Sequence, residues 1–377
     1  MRIGFNGWFL DQPYVGSGQY AHHLWRGLAA REDLTCLTFG PTHGDVVVRL
    51  RRWGPLAKVW YEQVDVPRAA RGLVDLLHYP YFASPLVKTC PTIVTIHDLI
   101  PLLFPEYSAS PAMKLYNALI ALAARRADAI IAVSEQTRKD IIKHLRIPGE
   151  RIYVTYEAVG EAFHPQDDIV VEVVKRKYGL GDYVFYIGGL NRHKNVQTLL
   201  AAFARLRRQL SRPYQLVIAG RAHSHNVRVF PDPRPMASSL GLTWAEGKDA
   251  QSVDVRFLGF VPEEDKPALY AGAAVFVYPS LYEGFGFCPL EAMATGVPVI
   301  SSRAASLAEI VGDGGLLVEP TDAEAMATAM LMVLKDTDLA RSLRESGLRQ
   351  AARFSWARTV DQTIAVYRRV LTIIDKW

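Results

Sequence analysis

Two glutamates flank a glycine-containing segment in the last third of the chain. Glu283 stands directly before Gly-Phe-Gly-Phe, and Glu291 follows with seven residues between the two acids. The pattern predicts a buried strand that ends at Tyr278 and a helix that begins at Pro289, since proline is favoured at the first helical position. The backbone N–H groups of the loop 284–287 and the positive end of the helix dipole could bind a phosphate or the hydroxyls of a sugar.

In this arrangement both carboxylates would face one cleft, with Glu291 in the first turn of the helix. The alternative is that Glu291 only complements the helix dipole, a contribution of about 0.3–1 kcal/mol, while Glu283 is a solvated loop residue. The combination of two acids, a glycine loop and a helix start favours a binding site over that alternative.

A second candidate site follows the predicted strand at residues 183–187. Gly188 and Gly189 are followed by Arg192 and Lys194, just before a predicted helix. A flexible turn with two cations at a helix start is suited to binding a diphosphate. The alternative is a pair of ordinary solvated cations. His97 ends another predicted strand, where a lone histidine more often has a structural role.

The elements that position these residues alternate regularly between strands and helices, which is typical of parallel α/β layers. In the first half of the chain, short apolar runs predict six strands, at residues 2–6, 34–39, 74–78, 92–97, 129–133 and 152–155. The second half predicts six more, at residues 183–187, 215–219, 255–258, 273–278, 297–301 and 316–318. A polar break around residues 163–173 predicts a linker, and the irregular segment 223–249 predicts a long loop. Ligands of such sheets bind beyond the carboxyl ends of the strands.

The spacing of Glu283 and Glu291 around Gly-Phe-Gly-Phe resembles the E-x7-E motif of the retaining GT-B glycosyltransferases of family four. Further segments are similar to bacterial mannosyltransferase-type members of that family, at residues 16–20, 95–106, 186–195 and 354–356. The resemblance implies an α/β protein of two facing, doubly wound Rossmann-like domains. The N-terminal, acceptor-binding domain would comprise residues 1–165 and the C-terminal helix 356–377, and the nucleotide-sugar-binding domain residues 175–355.

The resemblance also implies roles for individual residues. Glu291 would accept hydrogen bonds from the ribose, Lys194 and Arg192 would hold the diphosphate, and Glu283 would accept from a donor-sugar hydroxyl. His97 would lie beside the anomeric centre. The residues with a catalytic role would be Glu283, His97, Lys194 and Arg192. The residues that contact the donor would be Gly16, Gly18, Arg192, Lys194, Val261, Gly284, Phe285, Gly286, Phe287 and Glu291. This chain has Arg-His-Lys where many members have adjacent arginine and lysine, so the role of Lys194 transfers more directly.

Residues 16–21 also match the dinucleotide-binding pattern G-x-G-x-x-A. That interpretation is rejected because the first strand ends near Gly7, which leaves a long loop where the fingerprint needs an immediate turn. The second strand ends in Phe39-Gly40 without the acid that would hold a ribose. Family resemblance instead implies a mobile glycine loop, containing Gly16 and Gly18, that closes over the diphosphate.

The predicted activity is retaining transfer of a hexose from a nucleotide sugar to a glycan or lipid-linked acceptor. GDP-mannose is the first expectation for the donor and a UDP-hexose the alternative. Two other functions stay open, a nucleotide-sugar 2-epimerase of the same architecture and a two-lobed sugar-binding protein. Asp336-Thr337-Asp338 is the only D-x-D motif, and its position between helical patterns predicts a surface location. No metal and no further cofactor are therefore expected.

Composition and charge exclude several other classes. A net charge of +5 over 377 residues is too weak to indicate a nucleic-acid partner. Cys36, Cys90 and Cys288 form no disulfide framework, which favours a cytoplasmic location. The sequence shows no signal peptide and no transmembrane segment. A mixture of cations and aromatics could rest on an anionic membrane surface, and it comprises Arg49, Arg51, Arg52, Trp53, Lys58, Trp60 and Tyr61. A solvated helix face with ordinary core aromatics explains the same residues equally well.

Overall fold

The computed structural model describes residues 1–12, 15–50, 54, 56–108, 110–220, 226–247 and 253–374. The chain divides into two compact units. The first comprises Met1–Ala158 together with Ser355–Trp377, and the second comprises Val159–Phe354.

The first unit is built on a parallel sheet of seven strands in the order β3-β2-β1-β4-β5-β6-β7. The strands are β1 (Arg2–Asn6), β2 (Thr35–Gly40), β3 (Val46–Val47), β4 (Leu76–Tyr79), β5 (Thr92–Ile96), β6 (Ala129–Ala132) and β7 (Ile152–Val154). The chain runs outward from β1 to β3 and then returns to β4. The switch point of the sheet therefore lies between β1 and β4, where a ligand crevice is expected beyond the strand ends.

Helices cover both faces of this sheet. They are α1 (Gly16–Ala29), α2 (Leu56–Trp60), α3 (Val66–Ala70), α4 (Ile100–Leu103), α5 (Pro111–Arg126) and α6 (Glu135–Asp140). Two short π-helical segments, Tyr61–Asp65 and Ile141–Leu145, continue α2 and α6. Because the central strands are buried on both faces, they read as continuous apolar runs.

The final helix of the chain packs in the first unit although it follows the second unit in sequence. Within that helix, Tyr367 is fully buried, and its hydroxyl lies 2.6 Å from Nδ1 of His78 in β4. Nε2 of His78 contacts the hydroxyl of Thr95 at 2.9 Å. Burial lowers the pKa of His78 to about 3, so the imidazole is neutral and both of its nitrogens are hydrogen-bonded.

The second unit has the same plan, with a parallel sheet in the order β10-β11-β9-β8-β12-β13-β14. Its strands are β8 (Tyr183–Ile187), β9 (Gln215–Ala219), β10 (Trp244–Glu246), β11 (Val255–Gly259), β12 (Val275–Tyr278), β13 (Val299–Ser302) and β14 (Leu316–Val318). Its switch point lies between β8 and β12. The candidate residues after residues 187 and 278 follow these two strands.

Helices of the second unit precede, connect and follow its strands. They are α7 (Asp168–Tyr178), α8 (Val196–Arg207), α9 (Arg234–Ser239), α10 (Lys266–Ala271), α11 (Phe287–Thr295), α12 (Leu307–Val311), α13 (Ala323–Lys335) and α14 (Thr337–Ala351). The last helix, α15 (Trp356–Ile374), is the one that packs in the first unit.

The prediction of two doubly wound parallel α/β units is confirmed, and all twelve predicted strands are present within about two residues of their predicted bounds. The sequence analysis missed β3 and β10. Both are very short, lie at sheet edges and are partly exposed, so neither produces the buried apolar run by which a strand is recognised.

Two predictions about connecting segments were wrong. Residues 159–165 belong to the second unit, where the ring of Phe163 packs edge-on against Tyr270 with centroids 6.0 Å apart. The predicted linker is also interrupted, because α7 already begins at Asp168 and ends at Gly179 in the left-handed conformation. The predicted long loop 223–249 contains α9 and β10, while residues 223–225 and 248–249 lie outside the described part of the chain.

Candidate active site

Glu283 lies after β12 at the switch point of the second sheet, and only 9% of it is exposed. Its two carboxylate oxygens accept hydrogen bonds from Nζ of Lys194 at 2.7 and 2.9 Å. The hydroxyl of Tyr278, the last residue of β12, donates to the same carboxylate at 3.1 Å. The solvated-loop alternative for Glu283 is therefore wrong, since the carboxylate is buried and paired with Lys194 and Tyr278.

Lys194 reaches Glu283 because of the turn that follows β8. Residues Arg192–Lys194 form one turn of 3-10 helix, and Asn195 then adopts the left-handed conformation with φ 57° before α8 begins. The Asn195 side chain fixes this turn by donating to the carbonyls of Pro279 and Pro320. Nζ of Lys194 also contacts the Tyr278 hydroxyl at 2.8 Å. The two candidate sites of the sequence are thus parts of one cluster.

The intervening His193 explains the unusual Arg-His-Lys spacing. In the 3-10 turn His193 is buried, whereas Arg192 is exposed. Burial and the charge of Lys194 lower the pKa of His193 to about 4, so the ring is neutral near pH 7. The backbone oxygen of His193 accepts from the N–H of Leu281 at 2.7 Å, which ties the turn to the segment before Glu283.

The charge state of Glu283 follows from these neighbours. Burial acts to raise the pKa of Glu283, but the Lys194 ammonium outweighs this effect, and the pKa lies below its usual value. Glu283 is consequently ionised across the neutral range. A ligand hydroxyl that approaches it meets a hydrogen-bond acceptor already held in place by two partners.

The side chain of Ser306 holds the backbone of the glycine loop that follows Glu283. The Ser306 hydroxyl donates to the carbonyl of Glu283 at 2.9 Å and to that of Phe285 at 2.5 Å. Gly286 has φ 127°, a conformation that side chains rarely adopt, and a Cβ there would lie 3.0 Å from Leu307. Within the described residues, no protein acceptor is present for the backbone N–H groups of Phe285, Gly286 and Phe287.

Helix α11 begins at Phe287, not at Pro289 as the sequence analysis predicted. Pro289 is the third helical residue, and proline is tolerated there because an N–H of the first turn has no helical acceptor. The early start moves Glu291 out of the first turn, so the predicted position and the dipole alternative are both wrong. The helix ends at Gly296, which has φ 77°.

Glu291 is buried and accepts a hydrogen bond from the hydroxyl of Tyr270 at 2.7 Å. Burial raises the pKa of Glu291, and the Lys266 ammonium and the Tyr270 hydroxyl offset only part of that rise. Lys266 is itself paired with Glu263. The structure thus gives Glu291 a hydroxyl donor and a nearby cation.

Cys288 lies between the two acidic clusters, and the sequence analysis gave it no role at the site. Its thiol neighbours the hydroxyls of Tyr270 and Tyr278, the partners of Glu291 and Glu283 respectively. Burial and the charge of Glu291 raise the pKa of the thiol to about 12, so it stays neutral beside two carboxylates. Its position one residue after the glycine loop was the only signal that could have found it.

Val261 follows β11 and is buried, with 3% exposure. Nearby, a cavity of about 360 Å³ opens at the carboxyl ends of β9 and β11. Its lining residues include Leu190, Gly220, Arg234, Glu246 and Gly259. Only glycine fits at position 220, because a Cβ there would lie 1.9 Å from the carbonyl oxygen of Gly188. This cavity could hold a planar base close to the Lys194 turn.

In the first unit, both ring nitrogens of His97 are already engaged. Nε2 lies 2.9 Å from the carbonyl of Pro80, and Nδ1 lies 2.8 Å from a carboxylate oxygen of the buried Glu157. Burial acts to lower the pKa of His97, but the Glu157 charge outweighs it, so the pKa lies above its usual value. Tyr20 packs edge-on against the ring at 4.8 Å. A sugar hydroxyl could reach a ring nitrogen only by displacing one of these partners.

Comparisons with known proteins identify the family of this chain. The family model for glycosyl transferases group 1 matches residues 172–350, and the model for glycosyltransferase family 4 matches residues 14–162. The O-antigen chain mannosyltransferase B of Escherichia coli is 31% identical over 395 residues, which cover 98% of this chain and 100% of that protein. This chain belongs to glycosyltransferase family four.

Other relatives of this family-four glycosyltransferase extend the comparison. The serotype-specific mannosyltransferase WbdA of Escherichia coli is 32% identical over 285 residues, which cover 74% of this chain but only 34% of WbdA. The structure of Anabaena HepE in complex with UDP and glucose is 20% identical, with a TM-score of 0.76, and covers 98% of this chain and 100% of that one. The fold is therefore GT-B, as the sequence predicted. Glycosyltransferase membership decides against the epimerase and the sugar-binding protein.

Gly16 and Gly18 lie in the first turn of α1, not in the glycine loop that the sequence analysis expected of this glycosyltransferase. The prediction was wrong because a helix already begins at Gly16. Gly18 is closely packed, and a Cβ there would lie 1.9 Å from the carbonyl oxygen of Gln12. A role for these two glycines in donor binding stays a prediction.

Two surface predictions also have an outcome in the structure. Asp336 caps α14, accepting from the N–H groups of Asp338 and Leu339, and the D-x-D motif is exposed as expected. The predicted membrane patch does not form one exposed surface, because Tyr61 is fully buried and Lys58 is paired with Glu62. Arg51, Arg52 and Trp53 lie outside the described residues. None of the helices in the described ranges combines the length and hydropathy of a membrane span.

Proposed function

We propose that this glycosyltransferase transfers mannose from GDP-mannose to a glycan or lipid-linked acceptor with retention of the anomeric configuration. The observation that carries the proposal is the buried Lys194–Glu283 pair at the switch point of the second sheet. A cation and an acceptor carboxylate side by side suit the two neighbouring parts of a sugar nucleotide, its diphosphate and its sugar hydroxyls.

The second unit binds the donor in this proposal. Lys194 and the exposed Arg192 hold the diphosphate, and Glu283 accepts from a hydroxyl of the sugar. The N–H groups of Phe285, Gly286 and Phe287 supply donors to the remaining hydroxyls. Their unpaired state within the described residues supports this role.

The nucleoside part extends toward β11. Glu291 accepts hydrogen bonds from the ribose hydroxyls, with Tyr270 holding the carboxylate in orientation. The base lies near Val261, in the cavity lined by Gly220 and Gly259. The mannosyltransferase relatives favour mannose as the transferred sugar, and GDP-mannose is the donor first expected from the family resemblance. HepE, which was solved with UDP and glucose, keeps a UDP-hexose as the alternative donor.

The chemical step proceeds on one face of the sugar. The bond between the anomeric carbon and the phosphate oxygen breaks, and a bond to the acceptor oxygen forms on the same face. The acceptor's proton moves to the departing phosphate oxygen. Lys194, Arg192 and the N-terminal end of α11 supply fixed positive charge to that leaving group, so the reaction needs no metal.

The first unit supplies His97 and receives the acceptor. In this proposal the Glu157 carboxylate, which raises the pKa of His97, favours the protonated imidazole, and its charge stabilises the negative charge that develops on the departing phosphate. A role of this kind is electrostatic and does not require a ring nitrogen to be released from its partners.

A peripheral position at an anionic membrane is part of the proposal for lipid-linked acceptors. Helix α5 exposes Met113, Leu115 and Leu122 to 44%, 74% and 47%, and its basic residues Arg125 and Arg126 stand in its last turn. Such a helix face can lie in a bilayer interface. Flotation with anionic liposomes tests this surface. We expect the wild type to float with the liposomes and the Leu115→Gln/Leu122→Gln variant to lose flotation, and unchanged flotation of the variant would contradict the proposal.

The donor is tested by measuring the melting temperature with a panel of nucleotide sugars, because a ligand of the folded state raises it. We expect the largest rise with GDP-mannose, and transfer that persists in EDTA. NMR of the product must show the anomeric configuration of the donor. Inversion, dependence on a divalent cation, or a larger rise with a UDP-hexose would each overturn the corresponding part of the proposal.

A further inference from the structure

The first unit contains a second cluster of polar and aromatic side chains at its own switch point, between β1 and β4. Asn6 ends β1 and is followed by Trp8 and Phe9, while Tyr81 follows β4. The π-helical segment Tyr61–Asp65 brings Glu62 into the same place. The carboxyl ends of strands at a switch point are where ligands of open sheets bind, and π-helical turns occur often at functional sites.

Glu62 is the centre of this cluster and is completely buried. Its carboxylate accepts from the hydroxyls of Tyr81 at 2.9 Å and Tyr116 at 3.2 Å. Nζ of Lys58, one turn earlier, lies 3.6 Å from the carboxylate, and 31% of the Lys58 side chain is exposed. Lys58 is thus the exposed member of the pair, and the buried Glu62 carboxylate holds its ammonium group in place.

Three aromatic rings surround the Lys58 ammonium. It lies 5.8 Å from the ring centroid of Trp8, 5.1 Å from that of Phe9 and 5.0 Å from that of Tyr81. These distances suit cation–π attraction. Trp8 and Phe9 are only partly buried, so their rings form accessible walls beside the ammonium.

Asn6 adds a polar group that is not satisfied within the described residues. Its Oδ1 accepts from the N–H of Trp8 at 3.0 Å and lies 3.4 Å from the Tyr81 hydroxyl, whose proton is donated to Glu62. Its Nδ2 is buried and has no hydrogen-bond partner among those residues. An unpaired buried donor is unfavourable, so an acceptor oxygen brought by a ligand would stabilise this side chain.

The chemistry of the cluster selects a neutral polyol over an anion. The Lys58 charge is already balanced by Glu62, which leaves no surplus positive charge for a phosphate. Partly exposed aromatic faces beside a hydrogen-bond donor match the apolar C–H face and the hydroxyls of a sugar ring. Resting on the proposed function, we propose that Lys58, Trp8 and Phe9 form a subsite for a sugar ring of the acceptor, with Glu62 as the residue that positions Lys58.

The test measures binding of methyl α-D-mannopyranoside to the full chain by saturation-transfer-difference NMR. The variant is Lys58→Met, which keeps the aliphatic stem and leaves Glu62 in place. Lys88→Met is the matched control, since Lys88 belongs to the same unit, pairs with Asp128 and is 30% exposed. Trp8→Leu removes an aromatic wall without touching the ion pair. The melting temperature with GDP-mannose reports whether each variant is folded.

We expect the Kd for the glycoside to rise by about tenfold or more in Lys58→Met, the scale of a lost charge-assisted contact, and in Trp8→Leu, where an aromatic face is lost. It should be unchanged in Lys88→Met and in Lys194→Ala, which would show that the glycoside is not in the donor site. Inorganic phosphate should not displace it. Wild-type affinity in Lys58→Met, displacement by phosphate, or no binding to the wild type would each overturn the subsite.

Failure of the subsite is distinguishable from failure of the proposed function. If no nucleotide sugar raises the melting temperature of the wild type, the proposed function is wrong. If nucleotide sugars bind and the Lys58→Met variant still binds the glycoside normally, the donor assignment stands and only the acceptor subsite is wrong.

Discussion

Nζ of Lys194 donates to both carboxylate oxygens of Glu283, at 2.7 and 2.9 Å, although 89 residues separate them in the chain. The pair is nearly buried, with side-chain exposures of 17% and 12%. It joins the turn after β8 to the loop after β12, the two strands that define the switch point of the second sheet. A diphosphate and a sugar bound there would share the contacts that the pair now satisfies internally.

Removing either member of this pair should reduce transfer strongly. We expect Lys194→Ala and Glu283→Ala each to lower kcat/KM by about 100-fold or more, the scale of losing a preorganised charged contact. The measurement is initial-rate kinetics with GDP-mannose. Lys177→Ala is the matched control, since Lys177 pairs with Asp265 at 2.6 Å in the same unit. Near-normal rates in both site variants would contradict the assignment.

Acid should destabilise the protein through His193. The pKa of His193 is about 4 in the folded protein, against an ordinary value of 6.5. Between these two values the unfolded state binds a proton at this imidazole that the folded state does not bind. Stability should therefore fall as the pH decreases through this window, by about 3 kcal/mol in total. The lowered pKa of Glu283 acts in the same direction, since its stabilising charge is lost on acidification.

The measurement for this pH dependence is urea unfolding between pH 7 and pH 4. In His193→Asn the decline should be shallower than in the wild type. His164→Asn, at an exposed position of the same unit, should leave it unaltered. Parallel curves for the His193→Asn variant and the wild type would show that the imidazole is not responsible.

Ser306 should matter for catalysis although it is buried behind the glycine loop. Ser306→Ala removes two hydrogen bonds, to the carbonyls of Glu283 and Phe285, at a cost of about 1–2 kcal/mol. Because the loop N–H groups would then be less well oriented, we expect kcat to fall by about tenfold while GDP still binds. Ser239→Ala serves as the control, because the Ser239 hydroxyl donates to the carbonyl of Met236 in its own helix. An unchanged kcat in Ser306→Ala would argue against a catalytic role for the backbone N–H groups of the glycine loop.

Glu291 should determine whether the enzyme distinguishes ribose from deoxyribose. We expect Glu291→Gln to lower the affinity for GDP by about tenfold or more, because the carboxyl group that accepts from the ribose hydroxyls is replaced by an amide with a single acceptor oxygen. Affinity for 2′-deoxy-GDP should change less. Tyr270→Phe, which removes only the donor that orients Glu291, should have a smaller effect on GDP binding. Equal losses with both nucleotides, measured by calorimetry, would refute the ribose contact.

Much of the fold was predictable because its signals are local. Apolar segments such as 183–187 and 215–219 are buried on both sides, so their composition alone indicates strands. Gly296 marks the end of α11 by its left-handed conformation. By contrast, edge strand β10 has exposed residues and left no such signal. The start of α11 was misplaced because Pro289 is acceptable anywhere in a first helical turn.

The sequence by itself determined the two-unit α/β architecture and the glycosyltransferase family, because hydrophobic periodicity and the Glu283–Glu291 spacing are properties of the local chain. Only the tertiary structure decided that Lys194 pairs with Glu283, that His97 is engaged with Glu157, and that Lys58 lies among aromatic rings over Glu62. Burial and long-range contacts fix charge states and hydrogen-bond partners, and these depend on strands that are distant in sequence but adjacent in the sheet.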